Sequence, residues 1–299
     1  MQKITPFLWF DHQAEEAINF YITLFPDSKI TDTQRYNEDS AKASGQPAGS
    51  VMSASFELAG QRFAALNGGD YYKFTPATSF FVSCDTEQES DTLWNKLSEG
   101  GKIMMPFQVY PFSKKFGWCA DKFGVSWQIN LAPNKQKISP CLMFVGKQHG
   151  KTEEAVNMYT AMFKNSKIDM IARYEAGELD PAIGTIKHAE FTLDGYTFMA
   201  MDSSFKHDFT ITGGISFLVN CENQAEVDEF CAKLTEGGGE QQPCGWLTDK
   251  YGVVWQIVPT ILSKLLGDPD PEKSGRVMQA MLQMKKLEIA ELQKAYDGE

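Results

Sequence analysis

Hydrophobic and polar positions follow one order along this chain, and that order is written more than once. Ile4–Phe10 is an apolar run of strand length. Ala14, Ala17, Ile18, Tyr21, Leu24 and Phe25 then fall at the spacing of a helix with one face laid on a sheet. Alternating stretches follow at Lys29–Tyr36, Val51–Leu58 and Arg62–Leu66, with Gly60 marking a hairpin between the last two. The order strand, helix, strand, strand, strand begins again at Thr78–Cys84. It continues with a helix over Thr86–Glu99 carrying Leu93, Trp94 and Leu97, a stop at Gly100–Gly101, and strands near Lys102–Met105, Gly117–Ala120 and Val125–Leu131.

The whole double unit then recurs. KITPFLWF from Lys3 returns as KISPCLMF from Lys137, and EEAINFYITLFPDSKI from Glu15 as EEAVNMYTAMFKNSKI from Glu153. SFFVSCDTEQESDTLWNKLSEGG from Ser79 returns as SFLVNCENQAEVDEFCAKLTEGG from Ser216, and DKFGVSWQI from Asp121 as DKYGVVWQI from Asp249. Similarity kept in this order is a duplication, and its period is far too long for a solenoid. The reading is therefore α+β: two tandem domains, residues 1–134 and 135–262, each of two βαβββ modules, with the boundary at the proline-containing stretch Ala132–Lys137. Residues 263–299 stand outside the repeat. Met278, Met281, Leu282, Ile289 and Leu292 predict an amphipathic helix over about Gly275–Tyr296, laid on the body of the protein or, as a second reading, offered to a partner.

Composition narrows the classes. The 299 residues carry a formal charge of −11, which is the opposite of a nucleic-acid-binding footprint. The first residues lack the apolar core and cleavage site of a signal peptide, and no stretch reaches the ~18 apolar residues of a membrane span. Six cysteines are scattered without a CxxC, which reads as reduced thiols in a cytoplasmic protein.

The paired modules resemble the vicinal-oxygen-chelate superfamily, which contains glyoxalase I, bleomycin-resistance proteins and extradiol dioxygenases. CENQAEVDEFCAKLTEGGGEQQPCGWLTDKYGVVWQIVP and the tail RVMQAMLQMKKLEIAELQKA resemble its PhnB-like branch, often labelled 3-demethylubiquinone-9 3-methyltransferase. The resemblance implies open half-barrels formed by paired modules around a cavity. Many members hold a divalent metal there with His and carboxylate ligands. The strands that would supply those ligands carry none: ITPFLWF and ISPCLMF, SFFVSC and SFLVNC lack His, Asp and Glu, and the last strands place Gln128 and Gln256 where relatives place a glutamate. No metal and no cofactor are expected. Methyl transfer is also disfavoured, because Gly100–Gly101 and Gly237–Gly239 follow helices instead of opening them, the wrong polarity for a cofactor turn.

The remaining candidates are pocket groups. His188 opens the strand HAEFTL where the first repeat has Ser53, and Cys141 and Asp202 are the other donors that could accompany it. In the second domain His188, Asp202, Trp246 and Gln256 form the first-choice site; in the first domain Ser53, Trp118 and Gln128 form a weaker one. Cys244, beside Gly245 and Trp246, has no cationic neighbour in sequence and reads as inert. An insertion from Met104, MMPFQVYPFSKKF, is placed to cap or fill the first cavity. The function expected is metal-independent binding of a small molecule by a monomer or homodimer. The alternative is a glyoxalase-type lyase or isomerase with a metal and His188 as base.

Overall fold

A computed structural model describes residues 2–178 and 182–299. The four modules form where the apolar periodicity places them. The first comprises β1 (Ile4–Phe10), α1 (Ala14–Ile22), β2 (Lys29–Arg35), a short extra helix α2 (Glu38–Ser44), β3 (Val51–Leu58) and β4 (Gln61–Asn67). The second comprises β5 (Thr78–Ser83), α3 (Glu87–Ser98), β6 (Lys102–Tyr110), β7 (Ser113–Ala120) and β8 (Ser126–Asn130). The third has β9 (Ile138–Phe144), α4 (Thr152–Met162), β10 (Lys167–Arg173), β11 (Ile186–Leu193) and β12 (Tyr196–Asp202). The fourth has β13 (Ile215–Cys221), α5 (Gln224–Thr235), β14 (Glu240–Gln241), β15 (Trp246–Thr248) and β16 (Val254–Pro259). Local chemistry sets the helix starts: the Thr86 hydroxyl accepts from Glu89 N ahead of α3, and the Asn223 side chain accepts from Glu226 N ahead of α5.

The chain divides into two compact units, Pro6–Ile215 and a smaller one made of Met1–Thr5 with Ser216–Glu299. The larger unit holds an eight-stranded sheet in the order β10-β11-β12-β9-β5-β8-β7-β6. At its centre β5 and β9 run antiparallel from Thr78↔Leu142 to Val82↔Ile138. Modules thus pair across the repeat boundary. The junction near residue 134 marks where the sequence starts again, and the strands on its two sides share one ladder. The inner edge of β5 needs a hydrogen-bonding neighbour, and β9 supplies it. Lys137, just before β9, adds an ion pair to Glu89 of α3 at 2.8 Å. The same unit also holds β1 (from Pro6), β4, β3 and β2 as neighbouring strands.

In the smaller unit β14, β15, β16 and β13 are neighbours, and the beginning of the chain lies against β13, with Asn220 N donating to Lys3 O at 2.9 Å. Lys3 pairs with Glu226 of α5 at 2.7 Å, as Lys137 pairs with Glu89 of α3 in the larger unit. The tail differs from the continuous helix read from the sequence. It forms α6 (Ile261–Leu266), α7 (Pro271–Gln283) and α8 (Ile289–Asp297). Met284 leaves the helical region (φ −95°, ψ 144°), and the carbonyls of Met284 and Lys285 accept from Cys244 N and Gly245 N, each at 2.7 Å. That detour sinks Leu287 into a core with Leu262, Leu265, Val277 and Leu292, while Leu282 stays 55% exposed.

Strand register divides the eight-stranded sheet into two faces. Phe80, Val82, Trp127, Ile129, Leu142, Phe144, Phe191 and Phe198 lie on one parity and are fully or almost fully buried. The other parity mixes aromatic, sulfur and polar groups: Trp118, Gln128, Phe81, Cys141, Met199 and His188. The β6–β7 hairpin, built from the insertion, stacks Phe107 on Trp94 (5.1 Å between centroids) and exposes Val109 and Phe112 near its tip. Among the described residues no helix is long and apolar enough to cross a membrane.

Candidate functional site

The twice-written line is a turn held by a buried carboxylate. Asp121 Oδ1 accepts from Phe123 N (2.9 Å) and Val125 N (3.0 Å), while Oδ2 accepts from the Trp127 indole (2.8 Å) and the Tyr21 hydroxyl (2.6 Å). Burial raises the Asp121 carboxyl above its usual range although these donors pull it back. Asp249 repeats the pattern with Tyr251 N, Val253 N and the Trp255 indole. The glutamines further along are engaged as well. Gln128 donates to the Ser79 hydroxyl at 2.8 Å and Gln256 to that of Ser216 at 2.9 Å, so each ties its last strand to the parallel neighbour. Beside Gln128 and Ser79 sits the Cys141 thiol, pushed up to about 12 by burial. Such a thiol stays protonated and poorly nucleophilic.

His188 occupies a different environment. It lies on β11, three strand positions from β5, a separation of about 14 Å in a flat sheet. Yet the His188 and Phe81 rings are only 6.2 Å apart between centroids. The sheet therefore curls, and the mixed face is its concave side. Phe116 lies 6.2 Å from Phe81, and Phe112 and Tyr110 of the hairpin continue the aromatic series outward at 5.2 and 5.9 Å from Phe116. Burial holds the His188 imidazole below its ordinary pKa, so the ring is neutral at pH 7. Its nitrogens have no hydrogen-bond partner among the described residues.

The sequence candidates separate accordingly. His188, Trp118 and Gln128 share the concave face of the eight-stranded sheet, with the Trp118 indole donating to Ser126 Oγ at 2.8 Å. Ser53 belongs to β3 beside Gln34 and not to that sheet. Asp202 has the helix-facing parity. Its carboxylate accepts from Gly150 N (2.8 Å), Thr152 N (3.4 Å) and Ile186 N (2.9 Å), a clamp on the start of α4 and of β11. Trp246 and Gln256 are in the smaller unit, whereas His188 and Asp202 are in the larger, so no single sheet carries those four. Cys244 is half-buried at φ 63°, and burial raises its thiol pKa. Reading the sequence missed Phe81 and Phe116. Each sits two strands or fewer from Gln128 on the same face, but the parity that places them is fixed only by register. Two surface cavities, of about 270 and 230 Å³, lie elsewhere in the larger unit and include none of these residues. The concave face is where His188, Trp118 and Gln128 converge with Phe81 and Phe116.

A family model described as 3-demethylubiquinone-9 3-methyltransferase matches residues 2–130 and again residues 136–258. The chain belongs to that family. A PhnB protein from Bacillus cereus, described as a 3-demethylubiquinone-9 3-methyltransferase, is 49% identical, covers 44% of this chain and is itself covered completely (TM-score 0.42). A protein from Staphylococcus aureus is 36% identical over 44% of this chain and 98% of its own (TM-score 0.19). Glyoxalase I from Zea mays is 12% identical but covers 84% of this chain and 89% of its own with a TM-score of 0.53, a likeness of fold. No curated protein matches the chain.

The glyoxalase-like fold raises the question of a divalent metal on the concave face. On β11, β12 and β9 the titratable groups of this parity are His188, Glu190 and Cys141, and at the β10 edge the Asp169 carboxylate is taken up by Lys167 and the Thr192 hydroxyl. Glu190 accepts from Asn134 at 3.4 Å, Cys141 is a protonated thiol, and His188 faces a phenyl ring. Among the described residues no three His, Cys, Asp or Glu side chains form a metal-holding group. A divalent ion needs several anionic or imidazole donors converging on one point, and this donor set does not fit one.

Proposed function

We propose that this PhnB-like protein binds a small organic molecule on the concave face of its eight-stranded sheet, without a metal and in a sequestering role. The observation that carries the reading is His188: a neutral imidazole, flanked by Phe81, whose nitrogens have no partner among the described residues, on a face with aromatic, thioether and tied-back polar groups. His188 is half-buried, so its ring nitrogens are open to a hydrogen bond from a ligand or from water. Aromatic walls with a few orienting polar groups are the usual composition of a small-molecule site. The methyl transfer named in the family description finds no support in the fold. Gly100 and Gly237 have positive φ directly after α3 and α5, so they end helices and open no cofactor-binding helix. The six cysteines are all free thiols, which suits a reducing compartment such as the cytoplasm.

A thermal-shift screen over metabolites, followed by calorimetry of the best hit, tests the reading. His188→Ser should leave the fold intact and weaken binding by about 1–3 kcal/mol. Equal binding by that variant would overturn the assignment of the site, and stoichiometric zinc, nickel or iron in the purified protein would favour glyoxalase-type chemistry instead.

A further inference from the structure

We propose a second site, independent of the first, for a small zwitterion that carries a methylated ammonium and a carboxylate. It is the cavity of about 230 Å³ in the larger unit, at the end of β1. That volume falls below the ~300–1,000 Å³ of pockets for drug-sized ligands, so the occupant is small.

The walls are aromatic and meet nearly at right angles. Trp9 and Tyr72 are 5.2 Å apart at 88°, and Phe74 adds a third ring from the same loop as Tyr72. Phe123, from the turn after β7, supplies a fourth. The rings are fixed in place. The Trp9 indole donates to Gly69 O at 2.8 Å, and Gly213 lies so close to Tyr72 that a Cβ there would come within 2.5 Å of the ring. Aromatic faces carry negative quadrupole potential and attract cations, best of all those too diffuse to demand hydrogen bonds. The chain already uses one of these rings in this way, with Lys122 Nζ 4.8 Å from the Phe123 centroid.

Two charged side chains complete the lining. Asp11 sets a carboxylate beside the rings, and Lys73 brings an ammonium with no ion pair or hydrogen bond among the described residues. A simple cation would be repelled by Lys73, and a simple anion by Asp11. A molecule with both charges is matched at both ends, its methylated ammonium in the aromatic box near Asp11 and its carboxylate toward Lys73. The site belongs to the first repeat alone, because Met143 stands where Trp9 does.

Calorimetric titration of the full chain with trimethylglycine tests this, with tert-butylacetate as the isostere that keeps the shape and carboxylate but lacks the positive charge. Saturable one-to-one binding of trimethylglycine is expected with a Kd of about 1 mM or tighter. The isostere should bind at least about tenfold more weakly. Asp11→Asn and Lys73→Met, substitutions of side chains at the surface, should each weaken trimethylglycine at least about threefold with Tm unchanged. His188→Ser should bind it as the native protein does, which separates this site from the concave face. Absence of saturable binding, equal affinity for the isostere, or unchanged affinity in Asp11→Asn would overturn the proposal.

Discussion

Replacing Asp121 by Ala removes the carboxylate oxygen that accepts from two side-chain donors with no access to water. Tyr21 is 0% and Trp127 1% exposed, and both donate to Asp121 Oδ2. Each buried donor left without a partner costs about 1–3 kcal/mol, so the pair predicts a loss of about 2–6 kcal/mol. The two turn amides lost from Oδ1 add less, since residue 123 is only half-buried and water can reach it. Tyr21→Phe in the native background deletes one of four donors and should cost about 1 kcal/mol. In the Asp121→Ala background the same change removes an orphan hydroxyl and should be neutral or stabilising. Urea unfolding followed by tryptophan fluorescence measures all four members of this cycle, with Trp127 itself reporting on the site. An Asp121→Ala loss below about 1 kcal/mol, or a Tyr21→Phe cost that is the same in both backgrounds, would refute the carboxylate-centred account.

Acid should find out His188: its folded pKa lies below the ordinary value near 6.5, so the unfolded chain binds the proton first and native stability falls as pH drops through that value, by at most about 1.4 kcal/mol per unit from this group. His188→Ser should therefore lose less stability than the native protein between neutral pH and about pH 5, as read from Tm against pH. A protease site placed in the linker near residue 134 should yield two fragments that co-elute on gel filtration until denaturant is added, since β5 and β9 share a ladder; separation in plain buffer would contradict the pairing. Leu287→Ala should destabilise the protein by about 2–5 kcal/mol, because this residue is fully buried in the cluster under the tail helices. Gly245→Ala should also destabilise, as its φ is +80° and a Cβ would meet Ile257 O at 2.7 Å; an unchanged Tm in either variant would count against the tail packing described above.

Much of this architecture is legible in the letters, for definable reasons. Ala17, Ile18 and Tyr21 sit on one face at helical spacing and are all buried in the structure, because period alone decides which face of a helix meets a sheet. The pairing of modules across the repeat boundary is not legible. β5 presents the same apolar alternation whichever strand borders it, so nothing in SFFVSC names β9 as the neighbour. The sequence suggests a pocket role for Asp202 because composition does not reveal parity, and register places it with Phe144 on the opposite face. Its counterpart Asn67 held the clue: a short polar acceptor at the end of each repeat's hairpin, where Asn67 Oδ1 accepts from Ala14 N as Asp202 accepts from Thr152 N. The break in the tail at Met284–Glu288 was hidden for a different reason. MKKLE has ordinary helical propensity, and only the carbonyls needed by Cys244 N and Gly245 N pull it straight.

The exchange of modules also bears on how such a chain can change over generations. The concave face takes Phe81 and Gln128 from the earlier copy and His188 and Met199 from the later one. Neither copy owns that face, so a substitution in one is judged against residues inherited through the other. Divergence of the two halves is thereby tethered: a larger side chain at Phe81 must be answered near His188, more than a hundred positions away in the gene. A duplication usually frees one copy to drift, but here it bound the pair into a single unit of selection.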